Sequence, residues 1–158
     1  MNKNLLYIIK SQFRLDLNGD HGIGHWKRVE KIAIYLSTDQ DVDIEVIRLF
    51  AYMHDSRRED EYDDPLHGFH AAKYVLDLYE KNLLGISRQQ LETLMYACEH
   101  HSNQTAKSDN ITIQICWDSD RLDIWRLGIE PDPKYFYTGL AKQPETILYA
   151  KRLYSNCK

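Results

Sequence analysis

Apolar residues recur along this chain at spacings of three and four rather than two, and the pattern predicts a succession of helices. Leu5, Leu6, Ile8, Ile9 and Phe13 predict a first helix, stopped by the turn signal Asn18-Gly19-Asp20. A second is expected from about Gly22 to Leu36, where His25, Val29, Ile32, Ala33 and Leu36 share one stripe. A third runs from about Val42 to His54, with Ile47, Phe50 and His54 on one face and Asp55 at its end. Ser56 to Asp64 has no apolar period and reads as an exposed loop. Asp64 as N-cap and Pro65 in the first turn predict a fourth helix, striped by His67, Ala71, Val75 and Leu78. Ser87 and Gln90 form a capping-box signature before Leu91, Leu94, Met95 and Cys98, and a further step of three lands on His101 rather than His100. Ile113, Cys116, Asp120, Ile124 and Leu127 predict a sixth helix ending near Gly128, with Asp118 and Asp123 away from the centre of its buried stripe. A last helix is expected from about Glu145 to Tyr154. No alternating run is long enough to require a sheet, so the fold class is all-α.

Composition narrows the class. A chain of 158 residues with 43% hydrophobic content, four prolines and seven glycines fits a single domain over residues 1–158. A net charge of -4 gives no general attraction to nucleic acid or to an anionic membrane, so neither is expected as a partner. Cys98, Cys116 and Cys157 are widely spaced and form no Cys-x-x-Cys pair, and Lys10, Arg14 and Asp16 interrupt the N-terminal apolar run. A cytoplasmic, reducing setting is the expectation.

The candidate chemistry lies in the histidines. Helical phase puts His25, His54, His67, His101 and Asp120 on otherwise apolar faces, with Asp55 beside them. A single histidine on such a stripe is more often a hydrogen-bonded core residue than a ligand. So many buried ionisable groups together are costly unless a cation coordinates them. Mixed imidazole and carboxylate donors suit one or two divalent transition-metal ions, namely Mn, Fe, Ni, Co or Zn. The absence of cysteine from the set argues against a structural zinc site.

HGIGHWKRV (His21 to Val29), the doublet His54-Asp55, and WDSDRLD (Trp117 to Asp123) resemble, in order, the three signature blocks of HD-domain metal-dependent phosphohydrolases. The resemblance implies a bundle of about six to seven helices with a metal site between them. It also implies His25, His54, Asp55 and Asp120 as ligands. DPLHGFHAA and CEHHSN resemble the additional histidine blocks of two-metal members, which implies His67 and His101 as well. All blocks together span residues 21–133, and the final helix is expected to pack on them.

The implied activity is hydrolysis of a nucleotide or related small phosphoester by metal-activated water, with Asp55 and Asp120 as the catalytic carboxylate ligands. Arg57, Arg58 and Arg121 are candidate clamps for substrate oxygens, since guanidinium pairs bidentately with phosphate. His21 and His100 are candidate substrate contacts, and Arg28 is expected to brace a carboxylate or a helix end. One departure stands out: relatives that carry a catalytic glutamate three places after the doublet's aspartate have it where Arg58 stands here. Glu59 would replace it as general base only if the loop shifted register. A non-haem diiron oxygenase and a metal- or nucleotide-binding domain without turnover are the alternatives. A homodimer is left open.

Overall fold

The structure, a computed structural model, describes residues 2–156, so Cys157 lies outside the described residues. Among these, seven α-helices and two short 3-10 turns account for the regular structure, without a strand. They are α1 (Lys3–Ser11), α2 (Ile23–Leu36), α3 (Ile44–Met53), α4 (His67–Glu80), α5 (Arg88–His100), α6 (Ile111–Leu122) and α7 (Pro144–Ser155). The 3-10 turns are Asp123–Leu127 and Pro133–Tyr135.

Helix α3 is the axis of the bundle. Val46, Ile47, Leu49, Phe50, Ala51, Tyr52 and Met53 are all buried, so it is apolar nearly all round, as a helix enclosed by others must be. α2, α5 and α6 pack around it, and α4 is paired with α5. One polar knot ties three helix starts together. The Asp43 carboxylate caps α3 by accepting from the backbone N–H groups of Glu45 and Val46. It also accepts from the side-chain amide of Gln90, the same residue that completes the capping box of α5 with Ser87. The Asp43 N–H in turn donates to Thr112 Oγ1 in the first turn of α6. Three helices thus leave one knot, and their far ends deliver His54-Asp55, His101 and Asp120 to one place.

The expected elements appear, with three differences. Helix α4 begins at His67, with Leu66 as its N-cap, so Asp64 and Pro65 lie before the helix rather than in it. Asp64 still serves there, since its carbonyl accepts a hydrogen bond from His67 Nδ1. The sixth helix does not run to Leu127 but tightens into a 3-10 turn at Asp123, closed by Gly128 at a φ of +73°. Asp118 and Asp123, placed by regular phase off the buried centre, are both fully buried. Asp118 is enclosed because the segment after Pro133 folds over it, Tyr137 N, Thr138 N and Thr138 Oγ1 each donating to its carboxylate at 2.8 Å.

Helices α4 and α5 approach closely at Gly68, where an added Cβ would lie 2.6 Å from the Glu99 carbonyl oxygen and 2.7 Å from that of Cys98. Both obstacles are backbone, so the helices must part. Gly68→Ala is expected to cost roughly 1–3 kcal/mol, seen as a melting temperature lower by several degrees. It should also spread His67 from His101.

Candidate metal centre

Four imidazoles are aimed by their Nδ1 atoms. His54 Nδ1 donates to the Phe50 carbonyl at 3.1 Å, His101 Nδ1 to the Cys98 carbonyl at 2.7 Å, and His67 Nδ1 to the Asp64 carbonyl. A carbonyl only accepts, so each of these Nδ1 atoms carries hydrogen and each Nε2 is the nitrogen left to face a cation. His25 Nδ1 contacts Asp123 Oδ2 at 2.7 Å, and Asp123 is held by Arg28, whose Nε and Nη2 donate to it at 2.7 and 3.0 Å. Arg28 therefore braces a carboxylate, as expected. Such acceptors behind a ligating histidine fix its tautomer and direction.

The four Nε2 atoms converge in two halves around Asp55. In the first, His25 and His54 Nε2 are 3.0 Å apart, with Asp120 Oδ1 at 3.3 and 3.6 Å and Asp55 Oδ2 at 3.5 and 3.4 Å from them. In the second, His67 and His101 Nε2 are 2.9 Å apart, with Asp55 Oδ1 at 3.6 and 3.5 Å. Asp55 thus offers one oxygen to each half. Asp55 Oδ1 and Asp120 Oδ1 are buried with no hydrogen-bond donor. Orphaned carboxylate oxygens facing imidazole lone pairs are what a cation satisfies, and the groups His25, His54, Asp120 and His54, Asp55, His101 could each hold one.

Without metal, protons act in its place. Burial pushes His54 down, but the Asp55 and Asp120 carboxylates outweigh it and hold its pKa at about 10. Burial also pushes His25 down, as does Arg126, yet the carboxylates of Asp120, Asp123 and Asp55 around it leave it raised. Despite burial, both Asp55 and Asp120 stay well below the usual carboxylate range because of the histidines beside them. His67 differs: burial, reinforced by His101, lowers it to about 4, so it is neutral at pH 7.

A pH dependence follows. His54 has a higher pKa folded than unfolded, so its contribution to metal-free stability is complete below about pH 6.5 and is lost as pH rises toward about 10. Denaturant titrations across that window should show the decline. Loading metal at pH 8 should release a proton from His54 and flatten the dependence, read by calorimetry in buffers of different ionisation enthalpy.

Searches by family model and among curated proteins gave no match. Among solved structures the chain resembles a crystal structure of a predicted HD superfamily hydrolase from an uncultured Thermotogales bacterium, with a TM-score of 0.69 at 23% identity, covering 98% of this chain and 86% of that one. The fold is the HD-domain fold. In this HD-domain fold, the three blocks that carry the resemblance lie at the start of α2 and the C-terminal ends of α3 and α6, and the two further histidine blocks at the start of α4 and the end of α5.

The remaining candidates separate by position. His21, buried at 4% exposure, pairs through Nδ1 with Glu61 in the pocket over the centre. Arg58 enters the second half, its Nη1 lying 3.2 Å from His67 Nε2 and 3.5 Å from Asp55 Oδ1. Glu59, by contrast, is exposed and paired with Arg14, turned away from the ligands. Arg57 bonds Gln12 and lies over the Tyr74 ring. Arg121 packs on Trp117 and Tyr137 and donates to the Tyr135 carbonyl, on another face of α6 from Asp120. His100 packs edge-on against Tyr96. The geometry brings none of these last four side chains to the facing Nε2 and carboxylate atoms, although Arg121 Nη2 reaches the His101 carbonyl at 3.5 Å. It adds Arg126, whose Nη2 is 3.8 Å from Asp120 Oδ1, along with Asp123 and Glu61. Asp123 had a signal, being the acid of the Arg-Leu-Asp triplet within the signature block. Arg126 and Glu61 had none, since a 3-10 turn and an aperiodic loop place them.

Proposed function

We propose that this chain is a metal-dependent hydrolase of the HD superfamily acting on a nucleotide or related small phosphoester. His25, His54, Asp55 and Asp120 would hold one divalent ion, and Asp55, His67 and His101 a second. The observation that carries this reading is the pair of buried oxygens Asp55 Oδ1 and Asp120 Oδ1, which accept no hydrogen bond and face four imidazoles whose opposite nitrogens are already engaged. Neither hydrophobic packing nor a hydrogen-bond network accounts for such an arrangement.

When bound, a divalent ion polarises a phosphoryl oxygen and lowers the pKa of water toward neutrality. The protein's own groups do the rest. Asp55 and Asp120 concentrate negative charge at the ligand face, while the low pKa of His67 keeps that imidazole free to coordinate at neutral pH. His21, held by Glu61, presents its ring to the pocket and can exchange a proton with a leaving oxygen. Arg58 takes the contacts with Asp55 Oδ1 and His67 Nε2 that a second ion needs, so that ion must displace the guanidinium. This favours hydrolysis at one tightly held ion over oxygen chemistry at a paired-iron centre. No described helix is long and apolar enough to cross a membrane.

The test is turnover of mono-, di- and cyclic nucleotides and simple phosphomonoesters by protein loaded with manganese, cobalt or nickel. Activity present in wild type and absent from the His54→Ala, Asp55→Ala double variant supports the reading. Failure of every substrate under every metal overturns it.

A further inference from the structure

The pocket of about 710 Å³ that meets the centre through Arg58 and Arg126 is divided by charge, and the division bears on which phosphoester fits. Its inner wall carries Arg58 and Arg126, with side chains only 11% and 8% exposed. Each stands over a different half: Arg58 beside Asp55 Oδ1, Arg126 beside Asp120 Oδ1. Arg126 is incompletely used. Its Nη1 donates to the Asp123 carbonyl at 3.3 Å, but its Nε is buried with no acceptor. Arg126 lines the pocket with its hydrogen-bonding capacity only partly used, so its charge is available to an oxyanion there. The outer wall is opposite in sign, with Asp16 and Asp20 exposed and Glu61 turned onto His21.

The buried charges then close in a definite way. Arg28 offsets Asp123, while Arg58 and Arg126 offset Asp55 and Asp120, so with His25 and His54 neutral as ligands one divalent ion leaves an excess of two positive charges. A phosphomonoester dianion carries the matching charge. Linked phosphates extending outward would meet the carboxylates of the rim at unfavourable distance.

We propose that Arg58 and Arg126 form an anion clamp for a single dianionic phosphomonoester group, and that the rim of Asp16, Asp20 and Glu61 discriminates against di- and triphosphates. The group esterified to that phosphate is accordingly uncharged or cationic, such as a sugar, a nucleoside or an amino alcohol. This deepens the proposed function and rests on its metal centre.

The experiment is calorimetric titration of inorganic phosphate and of pyrophosphate into wild type, Arg58→Met, Arg126→Met and Asp16→Asn, Asp20→Asn protein, each metal-free and manganese-loaded. Metal content is measured separately and folding is checked by thermal melts. Wild type is expected to prefer phosphate to pyrophosphate. Each arginine variant should weaken phosphate binding about tenfold or more, as loss of charge-assisted bonds implies. The rim variant should narrow the preference for phosphate several-fold. Manganese affinity in Arg126→Met should hold or rise, because a cation leaves the neighbourhood of Asp120. If Arg126→Met fails to fold, Arg126→Lys replaces it, with a several-fold loss expected from the missing fork. Unchanged phosphate affinity in either arginine variant, no phosphate binding by wild type in either form, or tighter binding of pyrophosphate overturns the clamp. Absence of manganese uptake overturns the metal centre instead, and the metal-free titrations still decide the arginines.

Discussion

Asp55→Ala protein is expected to carry less than about a tenth of the metal that wild type binds, and to lose hydrolysis by a factor of roughly a thousand or more. Asp55 is the one side chain with an oxygen in each half of the centre, 3.4 to 3.5 Å from His54 and His25 through Oδ2 and 3.5 to 3.6 Å from His101 and His67 through Oδ1. Its removal weakens both halves at once, whereas His67→Ala withdraws a ligand from the second alone. Elemental analysis of the two variants side by side makes the comparison. Asp55→Ala retaining wild-type metal with normal turnover would contradict the bridging role, and equal losses in the two variants would show that the halves are not separable.

The second large effect belongs to a residue outside the ligand cluster. Asp123 is fully buried, accepts two hydrogen bonds from Arg28 and orients His25. Burial pushes its pKa up, but His25 and Arg28 overcome that and hold the carboxyl below the usual range. Asp123→Ala leaves the buried Arg28 guanidinium without this carboxylate, and breaking a buried pair from one side costs about 3–5 kcal/mol. It also frees the His25 ring to turn, for which a 10- to 100-fold loss of metal affinity is expected. Chemical denaturation of the metal-free protein reads the first effect and metal titration the second. Asp123→Asn should recover part of the stability through a neutral contact with Arg28 but little of the metal affinity, since the amide cannot hold His25 as a carboxylate does. Equal recovery of both would mean that Asp123 acts only as a structural partner of Arg28.

Much of this arrangement was legible because it depends on helical phase. The same three-residue step that placed Leu91, Leu94 and Cys98 inside selected His101 over His100, and the structure buries His101 at 3% exposure while leaving His100 part-exposed. The capping box at Ser87 and Gln90 was readable because it is a local exchange of hydrogen bonds. What escaped was non-local or irregular. Asp118 is buried by a segment that returns from about twenty residues downstream, which no periodicity of α6 encodes. Asp123 and Arg126 face the centre because the helix tightens to a 3-10 turn after Leu122, changing the angle per residue that the phase argument assumed. Counting three places from the doublet lands on Arg58, with Glu59 a base only on a shifted register, and the loop keeps the unshifted count, turning Glu59 to Arg14 and Arg58 inward.

The anchors behind the imidazoles set how this centre can vary over generations of sequence change. His54, His67 and His101 are aimed by the main-chain oxygens of Phe50, Asp64 and Cys98, which persist whatever side chain stands at those positions. Only His25 relies on a side chain for its aim. Substitutions at 50 and 98 are therefore answerable to packing, and one at 64 also to the loop, where the Asp64 carboxylate accepts from the Glu59 N–H at 2.7 Å. A library randomised at 50 and 98 should retain members that bind metal, while one randomised at 123 should retain almost none but aspartate.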